Sequence, residues 1–123
     1  MRLPFVKYNG TGNDFIIIDN RKNIFPSLNK NKISNLCNRN FGIGADGIIL
    51  IQDDKDSDFN MIYYNSDGNI GTFCGNGSRC AVHYSKLIGI LNYETKFKFH
   101  DEIYTAEVNE LSLIHISEPT RPY

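Results

Sequence analysis

Apolar and polar residues alternate along this chain in short blocks, and most blocks have the length and period of a strand. Leu3 to Tyr8 alternates weakly and predicts a first strand. Asn9-Gly10-Thr11-Gly12-Asn13-Asp14 is a turn cluster, where glycine tolerates positive φ. Phe15 to Asp19 predicts a short apolar strand. Between Ser27 and Asn40, Leu28, Ile33, Leu36 and Cys37 recur at mostly helical spacing, which predicts a helix. Phe41 to Gly47 reads as a glycine-rich loop, Ile48 to Ile51 as a buried strand, and Asp53 to Asp58 as a charged loop. In the next strand Phe59, Met61 and Tyr63 share one face, while Asn60, Ile62 and Tyr64 share the other. Asn65-Ser66-Asp67-Gly68-Asn69 carries an Asp-Gly turn signal, and Ile70 to Phe73 is expected to return as a strand.

The period then changes. Cys80, Ala81, Val82, Tyr84, Leu87, Ile88 and Leu91 lie in a helical segment that is apolar on nearly every side. That is the pattern of a central helix enclosed by sheet. Lys96 and Lys98 alternate with Phe97 and Phe99 in a later strand, and Ile103 to Val108 reads as its partner. Neither an internal repeat nor a low-complexity linker interrupts residues 1–110. Leu111 to Tyr123 (LSLIHISEPTRPY) fits nothing before it and resembles the translated read-through of a sequencing adapter. The plain alternative is a C-terminal strand with a proline-containing tail. The expected organisation is one domain over 1–110 followed by a non-native tail over 111–123, the natural protein continuing beyond about Glu110.

Chemistry concentrates where the period changes. In Phe73-Cys74-Gly75-Asn76-Gly77-Ser78-Arg79-Cys80 a thiol precedes a Gly-Asn-Gly turn and the apolar helix follows at once. Cys74 is therefore expected at a helix N-terminus, where unpaired N–H groups and the positive end of the dipole converge. Such a position favours the thiolate of a cysteine, and the same N–H groups can hold a carboxylate. One segment thus offers a base and an anion site. From spacing alone, a small buried hydrophobe ahead of a cap is an equally good reading of Cys74.

Composition narrows the classes. A chain of 123 residues suits one small domain, and with eight Phe and seven Tyr it can fill a core. Net charge is −1 with both signs interspersed, so there is no nucleic-acid footprint. No apolar run reaches the roughly 18 residues of a membrane helix, and Met1 to Phe5 lacks the apolar region of a signal peptide. Three cysteines without a disulfide framework favour a reducing, cytoplasmic setting.

Other motifs have plainer readings. Gly42-Ile43-Gly44-Ala45-Asp46-Gly47 matches G-x-G-x-x-G, but a helix precedes it and a strand follows, the reverse of a dinucleotide site. Its glycines are expected to allow a tight loop or the close approach of another backbone. Cys37 shares an apolar face with Ile33 and Leu36 and reads as structural. Cys80 lies six residues after Cys74, about 240° around a helix, so the two make neither a zinc pair nor a local disulfide. His83 and His100 read as surface or core-edge residues, and the acidic run Asp53, Asp54, Asp56, Asp58 as a solvated loop. Asn13, Asn65 and Asn76 each stand beside glycine or a turn. Turn chemistry accounts for them, and so does a set of amides that binds a zwitterionic amino acid.

Four segments taken together resemble the diaminopimelate epimerase family: Gly10-Thr11-Gly12-Asn13-Asp14-Phe15, Asn38 to Gly47, Tyr64-Asn65-Ser66-Asp67-Gly68, and Phe73 to Cys80. The resemblance implies an α+β fold, a mainly antiparallel sheet rolled around a central helix, as one of the family's two similar domains. It implies a cofactor-free, metal-free epimerase interconverting LL- and meso-2,6-diaminopimelate, in lysine and peptidoglycan precursor synthesis, and as full-length protein a possible homodimer. Carried over, Cys74 is one of two acid/base cysteines, and Asn13, Asn65, Gly75 and Asn76 contact substrate. Two positions depart from the pattern: many members carry Gln at Gly47 and Glu at Ile70. The second cysteine and second domain are expected outside this chain. The rival readings are another two-cysteine isomerase, of the proline racemase or hydroxyproline epimerase type, and a non-catalytic domain of the same fold. The amide set and the N-terminal motif fit the diaminopimelate enzyme better.

Overall fold

The computed structural model describes residues 4–10, 12–25, 29–72, 74–90, 94–109 and 113–117. In chain order these form β1 (Val6–Gly10), β2 (Asn13–Asp19), α1 (Lys30–Cys37), β3 (Gly47–Gln52), β4 (Phe59–Asn65), α2 (Gly75–Leu87), β5 (Glu94–Phe99), β6 (Glu102–Asn109) and β7 (Leu113–Ser117). All seven strands join one sheet in sequential order. The pairings β1–β2, β3–β4, β5–β6 and β6–β7 are antiparallel, and the two crossed by a helix, β2–β3 and β4–β5, are parallel. This is the expected α+β, mainly antiparallel architecture. The sheet curls so that α2 touches strands from both of its edges, β1 and β7, as well as β2 and β3.

The two helices lie on opposite faces, which explains the strand patterns. The inner face sets Phe15, Ile17, Ile49, Ile51, Phe59, Met61 and Tyr63 against Ala81, Val82 and Tyr84 of α2. The outer face sets Ile16, Ile18, Ile48 and Leu50 against Ile33 and Cys37 of α1. Strands β2 and β3 are thus covered on both sides and read as unbroken apolar runs. In β4 only the Phe59, Met61 and Tyr63 face is fully buried, so it alternates as its sequence predicts. Helix α2 departs from its sequence reading. Its circumference is not closed: Arg79, His83 and Leu87 form an exposed stripe, with Leu87 67% accessible.

Three further boundaries differ from expectation. Helix α1 is shorter than Ser27–Asn40. The Asn29 side chain caps it by accepting from Lys32 N at 2.9 Å, and Asn38 Oδ1 ends it by accepting from the N–H groups of Asn40 and Phe41. Asn and Asp compete with the helix ladder in this way at both ends. Ile70 to Thr72 do not form the expected strand: they make one bridge, Tyr64 to Ile70, and the Ile70 side chain is exposed. Within the tail, Leu113–Ser117 pairs with β6, and Ile116 packs on the inner core. Of the expected elements, Leu3, Thr11, Ser27, Leu28, Phe73, Leu91 and the segments 110–112 and 118–123 lie outside the described residues.

The glycine-rich loop does what its position requires. It folds back over the end of α1, where Ile43 and Gly44 N–H groups reach Leu36 O and Ala45 N–H reaches Cys37 O. A Cβ at Gly42 would stand 2.0 Å from Asn35 O, so only glycine permits this approach. The carbonyls left over at the helix end are satisfied by the loop instead of by water.

The β4–β5 junction is the thin point of the sheet, with two register pairs, Phe59–Phe97 and Asn60–Lys98. Side chains reinforce it: Phe97 stacks on Phe59 at 5.3 Å and on Tyr104 of β6 at 5.5 Å between ring centroids. Phe97→Ala is therefore expected to cost about 3–5 kcal/mol of stability. Denaturant melts of the two proteins measure this, and a loss below about 1 kcal/mol would show that the stack does not hold the junction.

Candidate active site

The curl delivers five separated sequence positions to one end of the sheet. Gly10 of β1 pairs with Asn13 of β2, Phe15 with Gly47 of β3, and Gly47 with Asn65 of β4. The C-terminal ends of β1 and β4 thus lie beside the N-terminal ends of β2 and β3. Asn13 has the parity of Phe15, and Asn65 that of Tyr63, so both asparagines belong to the inner face. Helix α2 begins at this same rim. Gly77 rests against the Ile49 and Phe15 side chains, which brings the first turn down onto the sheet.

Cys74 is the N-cap of α2, as its motif predicts. Its backbone is extended (φ −124°, ψ 113°), its carbonyl accepts from Ser78 N at 2.9 Å, and its Sγ accepts from Gly77 N at 3.4 Å. The thiol is partly exposed. Helix geometry leaves the N–H groups of Gly75 and Asn76 without intrahelical acceptors, at the positive end of the dipole. A half-buried thiol and two free N–H groups on one turn can address the α-carbon and carboxylate of a single amino acid.

Asn76 and Asn13 touch. Asn76 Nδ2 donates to Asn13 Oδ1 at 2.9 Å, and Asn13 Nδ2 donates to Asp46 Oδ2 at 3.3 Å. Arg79, one turn along α2, donates to Asn76 Oδ1. Asp46 also accepts from Asp14 N at 3.0 Å and from Arg39 at 3.1 Å, and Arg39 grips Asp14 with two bonds of 2.8 and 2.9 Å. Lys7 adds a 3.4 Å ion pair to Asp14. Asn65 stands apart from this chain of bonds: its Oδ1 lies over Gly71, in the segment leading to Cys74.

The other thiols are core residues, as predicted. Cys37 is 4% and Cys80 7% accessible; burial pushes the Cys37 thiol up to about 11 and raises that of Cys80. Burial also raises the Tyr63 phenol, with Cys74 and then Asp46 adding to the effect. Tyr63 explains Gly47: a Cβ there would stand 2.4 Å from the Tyr63 ring and 2.6 Å from Tyr64 O, so a side chain has no room at this position.

Sequence reasoning did not nominate Arg79, Asp46, Arg39 or Asp14. A signal existed for Arg79, because Asn76 and Arg79 are three apart on a helix and so are neighbours. The other contacts join residues 25 or more apart in sequence, apart from Arg39–Asp46 and Lys7–Asp14, each seven apart, and no local pattern announces them. Among the described residues no group of His, Cys, Asp and Glu is arranged to hold a metal ion. A cleft of about 550 Å³ lies at the opposite end of the sheet, lined by Asp19, Arg21, Lys22, Asp53 and Tyr84. Its Asp19 and Arg21 pair with each other at 2.9 Å.

A sequence model of the family described as diaminopimelate epimerase matches residues 5–112. A diaminopimelate epimerase of Flavobacterium psychrophilum is 53% identical over 114 residues, covering 93% of this chain and 44% of that protein. One from Chlorobaculum tepidum is 44% identical over 115 residues, covering 90% and 44%. The chain therefore spans under half the length of these relatives. A solved methylitaconate-delta-isomerase superposes with a TM-score of 0.68 at 14% identity, over 89% of this chain and 35% of that one. That likeness concerns the fold alone.

Two measurements test the site. Alkylation against pH, followed by peptide mass spectrometry, should modify Cys74 before Cys37 or Cys80, because those two thiols are buried and harder to ionise. Modification of Cys37 or Cys80 first near neutral pH would overturn this order. The second concerns Asp14, whose carboxyl Arg39 holds well below the ordinary range. A lowered folded-state pKa contributes stability that is complete above the unfolded value of about 3.9 and is lost as pH falls below it. Asp14→Asn should therefore flatten the acid-side loss of stability below about pH 4. An unchanged slope in acid melts would show that this pair does not set it.

Proposed function

This chain belongs to the diaminopimelate epimerase family, and on that premise we propose that it supplies one acid/base half of a cofactor-independent epimerase interconverting LL- and meso-2,6-diaminopimelate. The observation that carries the proposal is Cys74 as the N-cap of α2, with Asn13, Asn65 and Asn76 gathered at the same rim. The reaction serves lysine and peptidoglycan precursor synthesis in a reducing, cytoplasmic setting.

Epimerisation removes a weakly acidic α-proton from one face and returns a proton to the other. Cys74 works on one face, as thiolate when it takes the proton and as thiol when it gives it. The second thiol comes from the part of the relatives that this chain does not span. As negative charge grows on the α-carbon and its carboxylate, the Gly75 and Asn76 N–H groups and the dipole of α2 stabilise it. Closure of a second domain over this rim removes water and strengthens those interactions. The asparagines recognise the polar groups of the amino acid, and a ligand lacking a matching group leaves a buried amide unpaired, which penalises it.

The assay is solvent-deuterium incorporation at the α-carbon of both isomers. The 123-residue chain alone should show no turnover. The chain extended by the C-terminal half of the Flavobacterium psychrophilum relative should turn over, and Cys74→Ser in that protein should lower kcat by about 10²–10⁴-fold. Turnover by the 123-residue chain alone would overturn the two-base reading.

A further inference from the structure

The bonds from Arg79 through Asn76 and Asn13 to Asp46 form a relay with a single permitted polarity. Its first member, a guanidinium, has only donors, and its last, a carboxylate, has only acceptors. The two amides between them can each be turned end for end. Turning Asn76 alone sets its Nδ2 against an Arg79 N–H and its Oδ1 against Asn13 Oδ1. Turning Asn13 alone sets two Nδ2 groups together and its Oδ1 against Asp46. Turning both keeps the middle bond but opposes donors at Arg79 and acceptors at Asp46. Only the observed arrangement satisfies all three contacts.

The acceptor end is fixed from outside the relay, and the donor end is placed by the helix. Arg79 is held by its place on α2, three residues after Asn76. Asp46 is held by Arg39 on Oδ1 and by Asp14 N on Oδ2, the oxygen that also accepts from Asn13. We propose that Arg79 is a positioning residue that, against Asp46, fixes which atoms Asn13 and Asn76 keep free for a bound amino acid. This rests on the reading of those asparagines as substrate contacts. Each Nδ2 then has one N–H left and each Oδ1 one lone pair, with identity and direction settled before the ligand arrives. Preorganisation of this kind lowers the ordering cost of binding, and an amide that cannot turn cannot adapt to a ligand with donor and acceptor exchanged.

The experiment uses the 123-residue chain labelled with ¹⁵N. The side-chain NH₂ signals of Asn13 and Asn76 are followed in the parent, Arg79→Lys, Arg79→Met and Arg79→Glu. Lysine keeps a donor-only end, methionine removes the end, and glutamate opposes it with an acceptor. Parent and Arg79→Lys should keep the bonded N–H of each NH₂ group protected from solvent exchange. In Arg79→Met and Arg79→Glu, exchange at Asn76 should quicken by roughly tenfold, the effect of losing one hydrogen bond, while Asn13 keeps its bond to Asp46. Arg79 is exposed, so melting temperatures should stay close to the parent's; if Arg79→Glu unfolds, Arg79→Met alone decides. Unmoved signals in both variants, or an Arg79→Lys effect as large as that of Arg79→Met, would overturn the inference. Adding meso-2,6-diaminopimelate to the parent separates the two readings. A shift of the same NH₂ signals supports both. Unmoved parent signals beside disturbed variants overturn the asparagines as substrate contacts and leave the relay standing.

Discussion

A helix lying inside a sheet must bring its axis close to strands on several sides at once, and the rest of this structure depends on α2 doing so. Small residues make the approach possible. Gly77, Ser78, Ala81 and Ser85 are buried where the sheet comes near, and Gly77 admits the Ile49 and Phe15 side chains to the helix surface. The buried hydroxyls carry no uncompensated cost, because Ser85 donates to Val82 O at 2.6 Å and Ser78 to the Met61 sulfur at 3.7 Å. Larger residues then close the space: Val82 and Tyr84 from the helix, Phe59, Met61 and Phe97 from the strands.

The chemistry follows from where that packing leaves the helix ends. The core grips the middle of α2, so its first turn stands at the rim where β1, β2, β3 and β4 present Gly10, Asn13, Gly47 and Asn65. Cys74 caps the helix with its carbonyl and sulfur, and its thiol sits at the boundary between core and solvent. Cys80, one turn and a half further in, is enclosed. One helix thus carries a core thiol and an accessible one, and position along the axis separates them.

Around the thiol the structure changes from apolar packing to directed polar bonds. The relay from Arg79 to Asp46 continues through Arg39 and Asp14 to Lys7, tying α2, the β1–β2 hairpin and the loop after α1 into one rim. Most of its members are partly exposed, so its contribution lies in direction more than in stability. Hydrogen bonds between fixed donors and acceptors hold side-chain atoms to defined orientations, which apolar contact does not.

Much of this was legible along the chain. Alternation in Phe59 to Tyr64, unbroken apolar runs in Phe15 to Asp19 and Ile48 to Ile51, and the Cys-Gly-Asn-Gly start of an apolar helix are local patterns, because burial on one face, on two faces or at a helix cap acts on neighbouring residues. They announced β2, β3 and β4, the apolar helix packed on the sheet and the place of Cys74. What local pattern cannot carry is which distant residues meet. The length of α1 was decided by Asn29 and Asn38 bonding their own backbone, and the missing strand at Ile70 by a segment that makes one bridge before leading away to Cys74. The exposed stripe of Arg79, His83 and Leu87 exists because the sheet curls without closing over that side of α2. The union of Asn13, Asp46 and Asn76 arose only when β2, β3 and α2 were packed to a common end, since hydrogen bonds over 30 or 60 residues of sequence depend on the geometry of the assembled chain and leave no period within it.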